Sequence, residues 1–297
     1  MWFFNKSKNK QKNSSLHAKD VGNFYDKNHE SFIQVYGEVI QAFRTNNLDN
    51  ILNYQIDQIV LKPEHKILDA GCGVCGPARY FAKNVGCHID AVSISATQVN
   101  TSLQHIQNEQ LSDKINVHLQ DYHEVDKIFP KENFDKAYFL ESFGHSPDKE
   151  KLLKAIWKVL KPGGEVYIKD LFRRISKNWL VQRKIDSEIQ KINKAYYYEV
   201  ADLNDFVDMV RKIGYVIVFV KTIDIPLEDF ENLSISNEFQ ELTGIAKIDN
   251  WEKYIFPIDF FEVKLYKPEY DIEKGKSRYF LQNIYQIQMN HIDKENL

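Results

Sequence analysis

An acid set just ahead of a glycine turn is the strongest chemical signal in this chain. Residues 66–77 read Lys-Ile-Leu-Asp-Ala-Gly-Cys-Gly-Val-Cys-Gly-Pro, an apolar run that ends at Asp69 and continues through Gly71, Gly73 and Gly76. Gly71 and Gly73 have no Cβ, so the backbone can turn sharply and a ligand can approach it, while Pro77 suits the first turn of a following helix. The glycine spacing is that of a dinucleotide fingerprint, which alone is a weak signal. Asp69 shifts the balance, because a carboxylate two positions before the first glycine repels a pyrophosphate and suits a cationic amino-acid group. The turn is built to hold a nucleoside cofactor.

The three cysteines, Cys72, Cys75 and Cys87, lie in or near this turn. An odd count gives no disulfide framework, and a metal or redox reading of Cys72 and Cys75 needs a second ligand pair or a thioredoxin-like context, neither of which is visible. Small side chains filling a tight turn account for them.

The elements that position the turn follow from periodicity. Apolar residues recur at helical spacing from Phe24 to Arg44 and from Leu48 to Leu61. Strands then alternate with helices: strands at 66–70, 87–94, 115–120, 134–140 and 165–171, helices at 77–84, 96–110 and 149–160, the last stopped by Lys161-Pro162-Gly163-Gly164. Beyond Phe172 come a basic helical stretch to 195, a helix at 202–213 ended by Gly214, and strands at 215–220 and 260–265; the apolar stretch 279–292 fits helix or strand. Such alternation implies a Rossmann-like, seven-stranded, mostly parallel sheet with helices on both faces and its ligand at the carboxyl ends of the strands. The expected division is a disordered tail over 1–20, an N-terminal helical cover over 21–62 and a catalytic domain over 63–297, with C-terminal cap insertions near 172–200 and 227–256.

Composition narrows the partners. The chain has 297 residues, 39 basic and 42 acidic, for a net charge of −3, which gives no reason to expect nucleic acid. No stretch approaches roughly 18 uninterrupted apolar residues, the minimum for a spanning helix, and the start lacks the pattern of a signal peptide. The reading is a soluble cytoplasmic protein that acts on a small molecule, of unknown oligomeric state.

Asp69-Ala-Gly-Cys-Gly-Val-Cys-Gly76 resembles motif I of the class I S-adenosylmethionine-dependent methyltransferases, and Phe134-Asp135 and Leu160-Lys161-Pro162-Gly163-Gly164 resemble their later landmarks in order and spacing. Within that superfamily, the segment 71–77 and the run Leu140-Glu141-Ser142-Phe143-Gly144-His145-Ser146-Pro147-Asp148 are similar to sterol and tocopherol C-methyltransferases. Val92-Ser93-Ile94-Ser95-Ala96-Thr97-Gln98 is nearer to prenyl diphosphate C-methyltransferases and cyclopropane fatty-acid synthases. The resemblance covers residues 24–170 well and implies S-adenosyl-L-methionine as cofactor. It places Asp69 toward the methionyl ammonium, Gly71, Cys72 and Gly73 along the methionyl chain, and Asp121 and Tyr122 at the adenine. Ser93 stands where many relatives carry a ribose-gripping acid, so Gln98 shares the ribose; Tyr25 joins the cofactor contacts. Cys75 departs from the glycine that the sterol enzymes tend to carry.

Methyl transfer from a sulfonium needs chiefly alignment and desolvation. If the acceptor is an alkene carbon, a carbocation forms and calls for aromatic faces or a carboxylate, then a base. Glu141 and His145 follow the fourth strand and are the expected catalytic pair. The preferred expectation is C-methylation of an isoprenoid-like acceptor; O- or N-methylation with His145 as base is the alternative. An NAD-dependent oxidoreductase would carry an acid where Ser93 stands, and a non-catalytic cofactor-binding protein would share the same glycine turn.

Overall fold

The computed structural model describes residues 14–225, 235–269 and 286–287. Helices α1 (Ser14–Lys27), α2 (His29–Tyr36) and α3 (Leu48–Ile59) precede the sheet. The alternating body follows as β1 (Lys66–Ala70), α4 (Gly76–Val85), β2 (His88–Ser93), α5 (Ala96–Asn108), β3 (Ile115–Leu119), α6 (Val125–Ile128), β4 (Phe134–Leu140), α7 (Lys149–Val159) and β5 (Leu160–Arg173). The remainder comprises α8 (Trp179–Tyr196), α9 (Leu203–Ile213), β6 (Val216–Thr222), α10 (Ile235–Thr243), β7 (Ile258–Tyr266) and the two-residue β8 (Gln286–Ile287).

The strand order is β3-β2-β1-β4-β5-β7-β6-β8. Strands β1 to β5 pair in parallel, and β7 lies antiparallel between β5 and β6. This is the expected Rossmann-like sheet, with β8 as a short eighth strand beside β6. Alternate side chains of each strand feed opposite faces. In β4, Ala137 and Phe139 pack under α7 and α9 with Leu153, Ile156 and Phe206, while Tyr138 and Leu140 pack under α3 and α4 with Ile51 and Phe81. Side-chain caps set the helix starts: Asn47 for α3, Ser95 for α5, Asp148 for α7, Asn178 for α8 and Asp202 for α9, each worth about 1 kcal/mol.

Three boundaries differ from those read in the sequence, and a fourth stretch is described only in part. Helix α1 begins at Ser14, inside the stretch 1–20 assigned to a disordered tail, because its far end docks on α5: Asp26 accepts from Ser95 Oγ (2.5 Å) and Thr97 N (3.1 Å). The run 24–44, read at helical spacing, holds parts of two helices that end at Tyr36 and then an irregular segment, 37–47. Strand β5 starts at Leu160 and runs through Pro162-Gly163-Gly164, with an irregularity in its pairing to β4. Of the stretch 279–292, residues 286–287 are strand and the rest lies outside the described residues. In the expected cap, α10 meets the N-terminal cover where Phe239 stacks on Phe32 at 4.5 Å; residues 226–234 lie outside the described residues.

Candidate functional site

Asp69, next to last in β1, is buried, and the turn after the strand is fixed by backbone bonds. Gly71 N and Cys72 N both donate to Val92 O at 3.0 Å, which ties the turn to the end of β2. Gly71 has φ +96°, and a Cβ there would lie 2.5 Å from the Ser142 Cβ; both observations require glycine. At Gly76 a Cβ would meet Glu38 O at 2.1 Å, so this glycine lets the 37–47 segment lie on the start of α4.

One cavity gathers every residue expected to bind the cofactor or to act in catalysis. Tyr25, Asp69, Gly71, Cys72, Gly73, Ser93, Gln98, Asp121, Tyr122, Glu141 and His145 all line it. It sits at the carboxyl ends of β1, β2 and β4, where an open parallel sheet binds ligands. Ser93 Oγ donates to Gln98 Oε1 (3.0 Å) and both side chains are buried. Asp121 Oδ1 accepts from His123 N (2.9 Å) and His123 Nδ1 (2.7 Å). Burial works to raise the Asp121 carboxyl, but the hydrogen bonds and charge of His123 outweigh it and hold it below the ordinary value. Tyr122 Oη donates to Ser142 O at 3.2 Å.

Burial pushes the Asp69 carboxyl up to about 7, with Tyr138 a weaker opposing influence. No basic side chain among the described residues pairs with it. A ligand cation would relieve this desolvation. Hydrogen bonding with Cys75, together with burial, holds the Cys72 thiol high, so it stays protonated.

His145 has a defined tautomer. Its Nδ1 lies 3.1 Å from Tyr197 O, a carbonyl that can only accept, so Nδ1 carries the proton and Nε2 accepts from Tyr25 Oη at 2.8 Å. Burial lowers its pKa to about 4, which leaves the ring neutral at neutral pH. Tyr198 stands edge-on to it at 4.3 Å. Tyr198 Oη donates to Asp170 Oδ1 (2.6 Å), whose pKa burial raises to about 6.

Glu141 is placed differently from the free catalytic carboxylate that its position suggests. Its backbone is left-handed, φ 60°. Its carboxylate accepts from Ala42 N (2.6 Å), Phe43 N (3.0 Å) and Lys169 Nζ (2.6 Å). Lys169, buried in β5, also donates to Gln41 Oε1 (2.6 Å) and Phe43 O (2.5 Å). Burial lowers the Lys169 pKa and Glu141 opposes it. The pair therefore clamps the 37–47 segment over the site.

Sequence reasoning missed Gln41, Lys169 and His17. Gln41 lines the cavity, and its Oε1 also accepts from Gln55 Nε2 (2.7 Å), while among the described residues its own Nε2 is buried without an acceptor. A charged Lys169-Asp170 pair inside an apolar strand was the available signal for the clamp. His17, on α1, donates from Nε2 to His145 O (3.1 Å).

A second cavity of about 680 Å³ adjoins the first, between α2, α8, α10 and the 246–260 segment. It is walled by aromatic side chains, among them Phe32, Tyr36, Tyr196, Tyr198, Tyr254 and Phe260. Tyr25, Ile40, Glu141 and His145 border both cavities.

Comparison with known proteins agrees with this geometry. Residues 68–168 match the family model of the methyltransferase domain. The chain is 30% identical over 191 residues to the sterol 24-C-methyltransferase ERG6B of Gibberella zeae, covering 63% of this chain and 46% of that protein. It is 29% identical over 160 residues to the phosphoethanolamine N-methyltransferase of Triticum aestivum, covering 54% and 30%. The chain thus spans less than half the length of these curated relatives. The solved structure of the [4+2]-cyclase SpnF shares the fold, with TM-score 0.68, 19% identity, and 84% of this chain and 96% of that chain covered. Residues 68–168, the part that matches the methyltransferase domain model, supply Asp69, Ser93, Gln98, Asp121, Glu141 and His145 to the cavity at the ends of the parallel strands.

Proposed function

We propose that this chain is an S-adenosylmethionine-dependent methyltransferase that methylates a carbon of a small apolar or amphipathic, isoprenoid-like acceptor. The shared wall carries the reading: Tyr25, Ile40, Glu141 and His145 separate a cavity suited to the donor from an aromatic cavity suited to the acceptor. The residues present fit the donor. Among the described residues Asp69 has no cation beside it and Gln41 Nε2 no acceptor; an ammonium and a carboxylate on one ligand would satisfy both. Ser93 and Gln98 would take the ribose, Asp121 and Tyr122 the adenine, and Gly71, Cys72 and Gly73 the methionyl chain.

The bound donor supplies an electrophilic methyl on a sulfonium. With an alkene acceptor, transfer would form a carbon–carbon bond as the donor's carbon–sulfur bond breaks, releasing a neutral thioether and leaving a carbocation on the acceptor. The faces of Tyr25 and Tyr198 steady it, and His145 takes the departing proton at Nε2 once the Tyr25 hydroxyl yields that position. Glu141, expected as a base, serves in this reading as a strut, because Lys169 and two backbone amides already occupy its carboxylate.

A polar acceptor is the second reading, favoured by Arg174, Lys191, Lys247 and Lys253 in the wall of the larger cavity and by the N-methylating relative; His145 would then deprotonate a hydroxyl or an amine.

The test is direct. S-adenosylhomocysteine at a hundredfold excess over its Kd should stabilise the protein by about 2.7 kcal/mol, and a labelled methyl group should pass to an apolar metabolite in an extract. Tight NAD binding without adenosylhomocysteine binding in calorimetry would overturn the proposal.

A further inference from the structure

Large apolar side chains near α8 face solvent beside the mouth of the larger cavity. Trp179 is 65% exposed, Ile175 58% and Leu180 54%; across the mouth, Phe256 is 55% exposed. The two sides are tied together: Arg174 N donates to Pro257 O (2.9 Å) and Arg174 Nη1 to Phe256 O (3.4 Å). Arg174 and Phe256 also line the cavity itself, so the patch starts, at Ile175, one residue from the cavity wall.

The patch is basic as well as apolar. Between Arg173 and Lys194 the sequence has Arg173, Arg174, Lys177, Arg183, Lys184, Lys191 and Lys194 against Asp186 and Glu188. Both acids are already engaged, Asp186 by Arg173 and Glu188 by Lys191. Lys177, Arg183 and Lys184 form no ion pair among the described residues, and Arg183 lies over the Trp179 ring at 6.0 Å. The facing segment contributes Lys247 and Lys253 against Asp249, Glu252 and Asp259, so the positive excess belongs to the start of α8 and the turn before it.

An indole with an apolar neighbour, flanked by unpaired lysine and arginine, matches the boundary between anionic lipid headgroups and acyl chains. We infer that Ile175, Trp179 and Leu180, with Lys177, Arg183 and Lys184, form a docking surface for an anionic lipid bilayer, oriented so that the larger cavity opens onto the membrane. No described helix is long and apolar enough to cross a membrane; the contact is peripheral and reversible. It deepens the proposed function by naming the phase from which an amphipathic acceptor enters, yet the binding itself requires no methyl transfer.

Co-sedimentation of the full chain with phosphatidylcholine vesicles, with and without phosphatidylserine, tests this. The protein should bind the anionic vesicles, release at high salt, and show a blue shift of tryptophan emission on binding. Trp179→Ala with Leu180→Ala should weaken partitioning about tenfold. Lys184→Glu should weaken it by roughly fivefold or more. Both variants should retain the parent's adenosylhomocysteine-induced rise in melting temperature; that readout reports on the proposed function separately. Absence of vesicle binding, or binding unchanged by both variants, overturns the inference. So does concentration-dependent self-association, in sedimentation without vesicles, that the Trp179 and Leu180 changes abolish, since the patch would then serve a second copy of the chain.

Discussion

Replacing Asp69 with asparagine should make the ligand-free protein more stable at pH 8 while depriving it of its ligand. Burial raises this carboxyl from its ordinary 3.8 to about 7. A carboxyl raised on folding stabilises the native state fully below its unfolded pKa, and that contribution is lost as pH rises through about 4 to 7. At 1.36 kcal/mol per pKa unit the loss amounts to about 4 kcal/mol above pH 8. Asparagine is neutral throughout and escapes it, although its amide needs partners of its own, so the realised gain should be about 1–3 kcal/mol. Asp170, also raised by burial, to about 6, titrates in the same window, but it is present in both proteins and drops out of the difference. Urea unfolding of parent and variant at pH 5 and pH 8 measures that difference. Adenosylhomocysteine should restore the parent at pH 8, do nothing for the variant, and release a proton on binding near pH 6.5, which calorimetry in two buffers of different ionisation enthalpy detects. Parallel pH profiles for parent and variant would refute the reasoning, because they would mean that the Asp69 carboxylate is already paid its solvation by groups within the fold.

Removing one member of the clamp should be costly. Lys169→Met leaves the Glu141 carboxylate buried without its cation and should destabilise the protein by about 3–5 kcal/mol in urea unfolding; a change below about 1 kcal/mol would show that water already serves that site. His145→Ala should lower kcat by about 10² or more once an acceptor is in hand, with cofactor affinity little changed. Because burial holds His145 near 4, the parent's kcat should show no titration of His145 between about pH 5.5 and about pH 8; an inflection near pH 6.5, the ordinary histidine value, would return His145 to solvent.

The sheet was legible because each strand from 66 to 171 is a short apolar run bounded by turn residues, and the acid at its first turn marked the ligand's end. The order in which β5, β7 and β6 lie was not, since strand order depends on pairing between segments far apart in sequence. Helix α1 was hidden for a related reason: Ser14 to Asp20 is polar, and only the docking of Asp26 on Ser95 and Thr97 shows what holds the helix in place. Glu141 was visible as a residue at the right place, but its partner Lys169 sits in another strand and Ala42 and Phe43 in an irregular segment. A carboxylate's environment, unlike its position, is a tertiary property. Gln41 carried no local signal; its orphaned amide emerges only once Lys169 and Gln55 have claimed its oxygen.

Helix α1 carries a consequence for the sequence of events during turnover. Its residues His17, Ala18, Val21 and Tyr25 wall the donor cavity, and Tyr25 also belongs to the wall of the acceptor cavity. A nucleoside seated beneath α1 would press on the same helix that finishes the neighbouring chamber. Under the proposed function the two ligands would then share a wall, and the donor would bind before the acceptor and leave, spent, after it. Steady-state kinetics with such a shared wall should follow an ordered sequential scheme, in which adenosylhomocysteine competes with the donor and inhibits noncompetitively against the acceptor.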